Sequence, residues 1–70
     1  MKFAALEAIM FEHCNGVLTI ELSAAEDLLY AVLSDSDGEI INSSGGNFDE
    51  LFDNVEKDCQ LFCDDYDIAY

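Results

Sequence analysis

The chain has almost no positive charge: its 70 residues include two lysines and no arginine against sixteen acidic residues, for a formal net charge of −14. A nucleic-acid-binding protein needs cations to displace the counterions that phosphates condense, and a membrane-surface segment needs them to attract anionic lipids. The charge therefore excludes direct nucleic-acid binding and a polybasic membrane-surface role. We expect instead a protein partner that carries positive charge.

Proline and tryptophan are absent, and cysteine occurs only three times, at Cys14, Cys59 and Cys63. An odd cysteine count does not fit the paired disulfide framework of small secreted domains. No apolar run is long enough to span a membrane. Glu7 interrupts the apolar stretch near the N-terminus, so we expect no signal peptide. These absences predict a protein of the reducing cytoplasm that makes no contact with a membrane.

Apolar residues are nevertheless abundant, at 51% of the chain. Disordered acidic chains lack such a content, so we predict one small folded domain over residues 1–70. Repulsion among the acidic residues opposes the folding of so small a domain. The net charge also exceeds the magnitude of about 2–8 that keeps a small domain soluble. We infer that the charge serves function.

The first half of the chain predicts a helix followed by a strand. Residues 2–14 are rich in helix formers and apolar on nearly all sides, so we expect a helix that lies against a sheet with little surface left for water. Residues 17–22 alternate apolar and polar residues, which is typical of a half-buried strand. Leu18, Ile20 and Leu22 would form its buried face.

Two apolar runs, at residues 28–34 and 39–43, flank an Asp-Gly turn and predict a hairpin. We interpret residues 23–27 as the turn before it. Residues 24–33 also have helical spacing behind a capping-box pair, Ser23 and Glu26, so a helix there is an open alternative.

The last helix has the clearest pattern in the chain. Asn47 is predicted to cap it, with Glu50 three residues later. Apolar residues recur on one face, while acidic residues face away from it. The tail after this helix is predicted to add a short strand, extend the helix or fray. The whole order predicts an α+β fold, α-β-β-β-α, with both helices packed on one face of a three-stranded antiparallel sheet.

Patterns for metal binding and catalysis are weak. The turn around Gly38 matches the middle of a calcium-binding loop, but Leu33 and Ser44 fall where its outer carboxylates belong. Cys59 and Cys63 are four apart on the apolar face of a helix, where buried thiols act as small hydrophobes. We therefore expect no metal, no cofactor and no catalytic residue.

The acidic residues are the remaining functional signal. They fall into a hairpin-turn cluster (Asp35, Asp37, Glu39), a helix-face row (Asp49, Asp53, Glu56) and a C-terminal cluster (Asp64, Asp65, Asp67). Asp64 and Asp65 lie near a helix C-terminus, where the helix dipole disfavours anions. A surface that tolerates this electrostatic cost is a candidate for function, and Tyr66 lies within it as an aromatic anchor. The predicted partner-binding residues are Asp35, Asp37, Glu39, Asp49, Glu50, Asp53, Glu56, Asp64, Asp65, Tyr66 and Asp67.

Three segments carry a family resemblance: VLTIEL, LLYAVLSDSDGEII and NFDELFDNVEKDCQLFCDDYD. In size, acidity and element order they resemble the small phage-encoded anti-CRISPR proteins. Some members of that family block Cas effectors by imitating the DNA that the effectors recognise. The resemblance implies a non-enzymatic inhibitor of host defence that acts in the host cytoplasm.

The spacing of the acidic residues fits such mimicry. Carboxylates four residues apart on a helix repeat every ~6 Å, which is comparable to the spacing of successive phosphates. We therefore expect an inhibitor that binds the basic groove of a nucleic-acid-binding protein, with a Cas effector as the leading candidate. The alternatives are an immunity protein or antitoxin, another phage inhibitor such as an antirestriction protein or glycosylase inhibitor, and a structural dimerisation module. Monomer and homodimer both remain open.

Overall fold

A computed structural model describes residues 3–70 and has the α-β-β-β-α order that the sequence predicts. The fold class is α+β, with an open three-stranded antiparallel sheet in the order β1-β2-β3. The elements are α1 (Ala4–Glu12), β1 (Thr19–Ala25), β2 (Leu28–Asp35), β3 (Gly38–Gly45) and α2 (Phe48–Asp65).

Residues 28–34 form a strand, as predicted, and the helical alternative for this stretch is wrong. The predicted turn over residues 23–27 is too long, because β1 continues to Ala25 and pairs there with Leu28. Glu26 and Asp27 alone make the turn, and both have positive φ, at 54° and 64°. Positive φ at both central residues is the requirement of a type I′ turn. The sequence hid this turn, because neither residue is the Gly or Asn that usually signals it.

α2 begins as predicted, since the Asn47 side chain accepts a hydrogen bond from the Glu50 N–H at 2.8 Å. Leu51, Val55, Cys59 and Cys63 form its buried face. This face packs against β3 and, to a smaller extent, β2. Within residues 3–70, no helix is both long and apolar enough to cross a membrane.

Gly45 lets β3 approach the first turn of α2 closely. A Cβ at this position would lie 2.5 Å from the backbone N of Leu51. Any larger residue would therefore push the strand and the helix apart. At the neighbouring Gly46, the nearest atom to an added Cβ is a Glu50 carboxylate oxygen at an ordinary 3.7 Å.

The expectation that α1 has little exposed surface is wrong. α1 packs against α2, and its buried residues are Ala5, Ala8 and Ile9. Phe11 is 86% exposed. The reason is that α2 already covers β2 and β3, so α1 lies beside it. The helix was predicted over residues 2–14, of which residue 2 lies outside the described residues.

Of the predicted buried face, Leu18 lies just before β1 and is partly buried against the core. The burial predicted for Ile20 and Leu22 is wrong, because all seven residues of the strand are exposed. Ile20 and Leu22 are 48% and 52% exposed. They pair with Leu33 and Ala31 of β2, so all four side chains share the face of the sheet that carries the helices. α2 covers the β2 residues of these pairs and leaves those of β1 open.

The tail after α2 folds back onto the core. The Ile68 N–H donates to the Cys63 carbonyl at 2.9 Å, and the Asp67 N–H donates to the Asp64 carbonyl. Asp67 has a positive φ of 55°, and Ile68 packs against the buried core. This is the hydrogen-bond pattern of a Schellman motif, which ends the helix and returns the chain to the protein.

Candidate functional site

The fold brings two of the three predicted acidic clusters to one end of the molecule. The β2–β3 turn and the C-terminus of α2 meet around a shallow depression, lined by Asp37, Glu39 and Tyr66 among others. Asp65 lies beside it, in a second depression shared with Ile40. We call this region the acidic end; its residues are Asp35, Asp37, Glu39, Asp64, Asp65, Tyr66 and Asp67.

Asp35 fixes the shape of the turn. Its carboxylate accepts one hydrogen bond from the Asn15 N–H at 2.8 Å and another from the Asp37 N–H at 2.9 Å. These backbone hydrogen bonds stabilise the charged form and lower the pKa of Asp35 from its ordinary value of 3.8. Asp35 therefore has a structural role at the acidic end, with both carboxylate oxygens engaged.

The turn is also held by the loop that follows α1. The Ser36 N–H donates to the Asn15 carbonyl at 2.9 Å. Gly16, with a φ of 89°, passes so close that an added Cβ would clash with the Ser36 hydroxyl. The acidic turn is consequently braced from outside its own hairpin.

Tyr66 is held in place by aromatic contacts. Its ring stacks on Phe62, with centroids 4.5 Å apart, and lies 4.9 Å from the ring of His13. Its exposed fraction is 58%, so the ring is fixed on one side and accessible on the other. Such a preorganised ring loses little conformational entropy when a partner covers it. The sequence did not reveal the part that His13 plays here.

The end of α2 is acidic. Asp64 and Asp65 close the helix, and its last turn contains no basic residue. The Tyr70 hydroxyl donates to the Asp64 carboxylate at 3.4 Å. Desolvation and the negative charge of Asp64 raise the pKa of Tyr70. Negative charge at this position opposes the helix dipole, as the sequence predicts.

The helix-face row of Asp49, Asp53 and Glu56 lies on the N-terminal half of α2, away from the acidic end. Asp49 and Glu50 are in the first turn of α2, which spans about 27 Å over its 18 residues. Glu26 and Asp27 line a depression together with Phe48 at this end. Glu26 and Asp27 are not among the predicted partner-binding residues, because the sequence pattern indicates a turn at residues 23–27 and no acidic cluster. The two groups of acids therefore face opposite ends of the protein.

The expectation that Glu56 faces away from the core is wrong. Its side chain is half-buried, and Oε1 accepts a hydrogen bond from the Ala5 N–H at 3.1 Å. A carboxylate at a helix N-terminus is stabilised by the helix dipole, so Glu56 anchors the start of α1. Of the predicted helix-face row, Asp49 and Asp53 therefore remain candidates for partner binding. The spacing held a signal: Glu56 is four residues after Phe52 and three before Cys59, which places it beside the apolar face.

Cys59 and Cys63 are completely buried in the core, which is the role that the apolar stripe predicted. Burial raises the pKa of Cys59 to about 12 and also raises that of Cys63. Both therefore remain protonated thiols at neutral pH. In the described part of the chain, no group of three or more His, Cys, Asp and Glu residues is arranged to hold a metal ion.

Comparisons with protein-family models, with curated proteins and with solved structures give no match to this chain.

Proposed function

We propose that this protein is a non-enzymatic inhibitor that occupies the basic nucleic-acid-binding groove of a target protein by imitating phosphates. The observation that supports this proposal is the acidic end. Asp37 and Glu39 line one depression with Tyr66, and Asp65 lines a neighbouring depression that shares Ile40 and Phe62 with the first. A groove lined by Lys and Arg would find there the charge of a phosphate backbone and an aromatic anchor.

The rigidity of this surface supports mimicry of a duplex. A duplex presents its phosphates on a comparatively stiff scaffold, so a mimic gains from carboxylates that are already in place. The hydrogen bonds of Asp35 and the stack beneath Tyr66 supply that preorganisation. Within this class we propose a phage anti-CRISPR protein that acts on a Cas effector in the host cytoplasm, in keeping with the element order and charge.

The direct test is competition on a guide-loaded Cas effector with a labelled target duplex. We expect the protein and the duplex to exclude each other, and the affinity of the protein to fall steeply as salt is raised. Simultaneous binding of both would refute the mimicry. A basic nuclease assayed in parallel addresses the immunity-protein alternative, which inhibition of the nuclease alone would favour.

Charge reversal locates the contact. The double variant Asp37→Lys with Asp65→Lys should weaken binding by about 100-fold, because two attractive contacts become repulsive. The matched control, Glu26→Lys with Asp49→Lys, makes the same change in net charge at the opposite end and should bind within about threefold of the parent. Asp35 is left unchanged because its loss would disturb the turn. Equal losses in both variants would show that the net charge acts without the geometry.

A further inference from the structure

β1 is an edge strand without the usual protection. In an edge strand, the N–H and C=O groups of alternate residues point away from the sheet and remain available for pairing. Natural proteins block such edges with Pro, Lys, inward-pointing charges, bulges or a covering element. β1 contains no Pro or Lys, and its pairing with β2 continues without a bulge from Thr19 to Ala25. Among residues 3–70, no other segment pairs with its outer edge.

An apolar groove runs along the helix-facing side of this edge. Its first part, about 220 Å³ in volume, is lined by Ile20 together with Leu6 and Phe52 from the helices. It continues toward Leu22 and Phe48, which line a neighbouring depression. Leu22 and Phe48 are each 52% exposed. Side chains of an additional strand on this face would extend the row that Ile20 and Leu22 begin.

The acidic residues around the edge of β1 favour a positively charged partner segment. Glu21 is the only charged residue of β1, and it lies on the opposite face of the sheet from Ile20 and Leu22. Glu26 and Asp27 close the end of the strand, and Asp49 follows Phe48. A second copy of the chain would bring another net charge of −14 against this one, which disfavours pairing of β1 with itself.

We propose that β1 accepts a fourth strand from a cationic partner protein. The added segment alternates apolar residues, which cover the groove, with Lys or Arg residues, which face Glu21 on the other side of the sheet. Backbone hydrogen bonds along the edge supply affinity, and the alternating side chains supply specificity. This surface is separate from the acidic end, so the proposal stands whether or not that end mimics nucleic acid.

The test uses amide hydrogen exchange, measured by NMR on the full ¹⁵N-labelled chain. The probe is a synthetic peptide as long as β1 that alternates Lys and Ile; the control peptide has the same composition with all Lys residues first. With the alternating peptide, we expect exchange at alternate amides of residues 19–25 to slow about tenfold or more. The control peptide should leave those amides unchanged. Binding without protection in β1, or equal protection by both peptides, would overturn the proposal.

A variant sharpens the result. Leu22→Lys puts an inward-pointing charge on the edge and should abolish the protection. Asn42→Lys, at an exposed position of β3, makes the same charge change and should preserve it. Far-UV circular dichroism checks that both variants fold. If Leu22→Lys does not fold, the exchange data of the parent protein with the two peptides decide whether β1 accepts a strand. Protection of β1 without peptide, together with a concentration-dependent dimer mass in sedimentation, would identify a second copy as the occupant and refute the cationic partner.

Discussion

The two hairpins of the sheet share β2 but are held together in different ways. The β2–β3 hairpin has Gly38 at a positive φ and the Asp35 carboxylate bracing its turn. α2 covers it and contributes the Asn54 side chain, which donates to the Ser44 carbonyl at 2.7 Å. The β1–β2 hairpin turns through Glu26 and Asp27, two non-glycine residues at positive φ, and β1 is exposed throughout.

The two hairpins therefore differ in what they contribute: the covered hairpin contributes to the stability of the fold, and the open hairpin leaves backbone and side-chain groups available to a partner. The covered hairpin packs on the core and positions the acidic end, so its geometry is fixed by many contacts at once. The open hairpin keeps the apolar side chains of β1 half exposed, and no other segment in residues 3–70 pairs with its backbone edge. We expect truncation of a buried side chain in the covered hairpin to destabilise the fold more than truncation of its exposed partner in β1.

The largest effect should distinguish the two members of one cross-strand pair, Ile20 and Leu33. Leu33 is completely buried, so Leu33→Ala should lower the free energy of unfolding by about 3 kcal/mol through lost burial and a cavity. Ile20→Ala should cost about 1 kcal/mol or less, since its side chain is already half in water. Urea unfolding followed by circular dichroism measures both. Equal losses would contradict the contrast between the hairpins.

The next effect concerns the close approach of β3 to α2. Gly45→Ala places a Cβ against the Leu51 backbone and should lower the free energy of unfolding by about 2 kcal/mol, because strand and helix must separate. Gly46→Ala is the matched control and should change it by less than about 0.5 kcal/mol. Thermal unfolding of the two variants in one buffer provides the measurement. A tolerated Gly45→Ala would mean that the covering of β3 by α2 is loose.

A smaller change of opposite sign is expected in the open hairpin. Replacing Glu26 and Asp27 by Asn and Gly supplies the residues that a type I′ turn prefers, and should stabilise the protein by about 1 kcal/mol. The control replaces the same pair by Gln and Asn, which also removes two charges but retains two side chains in the turn. A similar gain in melting temperature from both variants would attribute the effect to charge and not to backbone conformation.

The smallest effect depends on pH. Because hydrogen bonds lower the pKa of Asp35 in the folded state, its carboxylate stabilises the protein above its ordinary pKa of 3.8. That contribution is lost as the pH falls through the lower, folded pKa. Asp35→Asn should therefore be less stable than the parent at neutral pH, and the difference should vanish in acid. Urea midpoints over a pH series test this, with Asp37→Asn as the control that removes a charge from the same turn. Parallel curves for parent and Asp35→Asn would rule out this role of Asp35.

The element order was predictable because its signals are local. Alternating residues identified the strands, the Asp-Gly pair identified the β2–β3 turn, and Asn47 identified the start of α2. The β1–β2 turn was not predicted because Glu26 has no preference for positive φ and Asp27 stands where a type I′ turn usually has Gly. Burial was harder to predict for a different reason: periodicity indicates which side chains share a face, but not whether another element covers that face. The exposure of Ile20 and Leu22 follows from where α2 packs.

The acidic residues of the candidate site were predictable from the sequence, but their arrangement in space was not. Sequence distance hid the meeting of the β2–β3 turn with the end of α2, which only the packing of α2 along the sheet produces. Polarity alone predicted the wrong environment for Glu56, since a carboxylate can be half-buried where the N–H groups of a helix N-terminus donate hydrogen bonds to it. The sequence predicts Asp35 as a partner-binding residue, and its hydrogen bonds in the structure give it a structural role as well.

The bracing of the acidic turn by Asn15 makes the acidic end a discontinuous epitope. Its residues come from the β2–β3 turn and the end of α2, the loop after α1 holds the turn in place, and these segments come together only in the folded chain. Antibodies raised against this surface should recognise the native protein and fail on a denaturing blot. For the same reason, no short peptide copied from one of these segments should reproduce the surface.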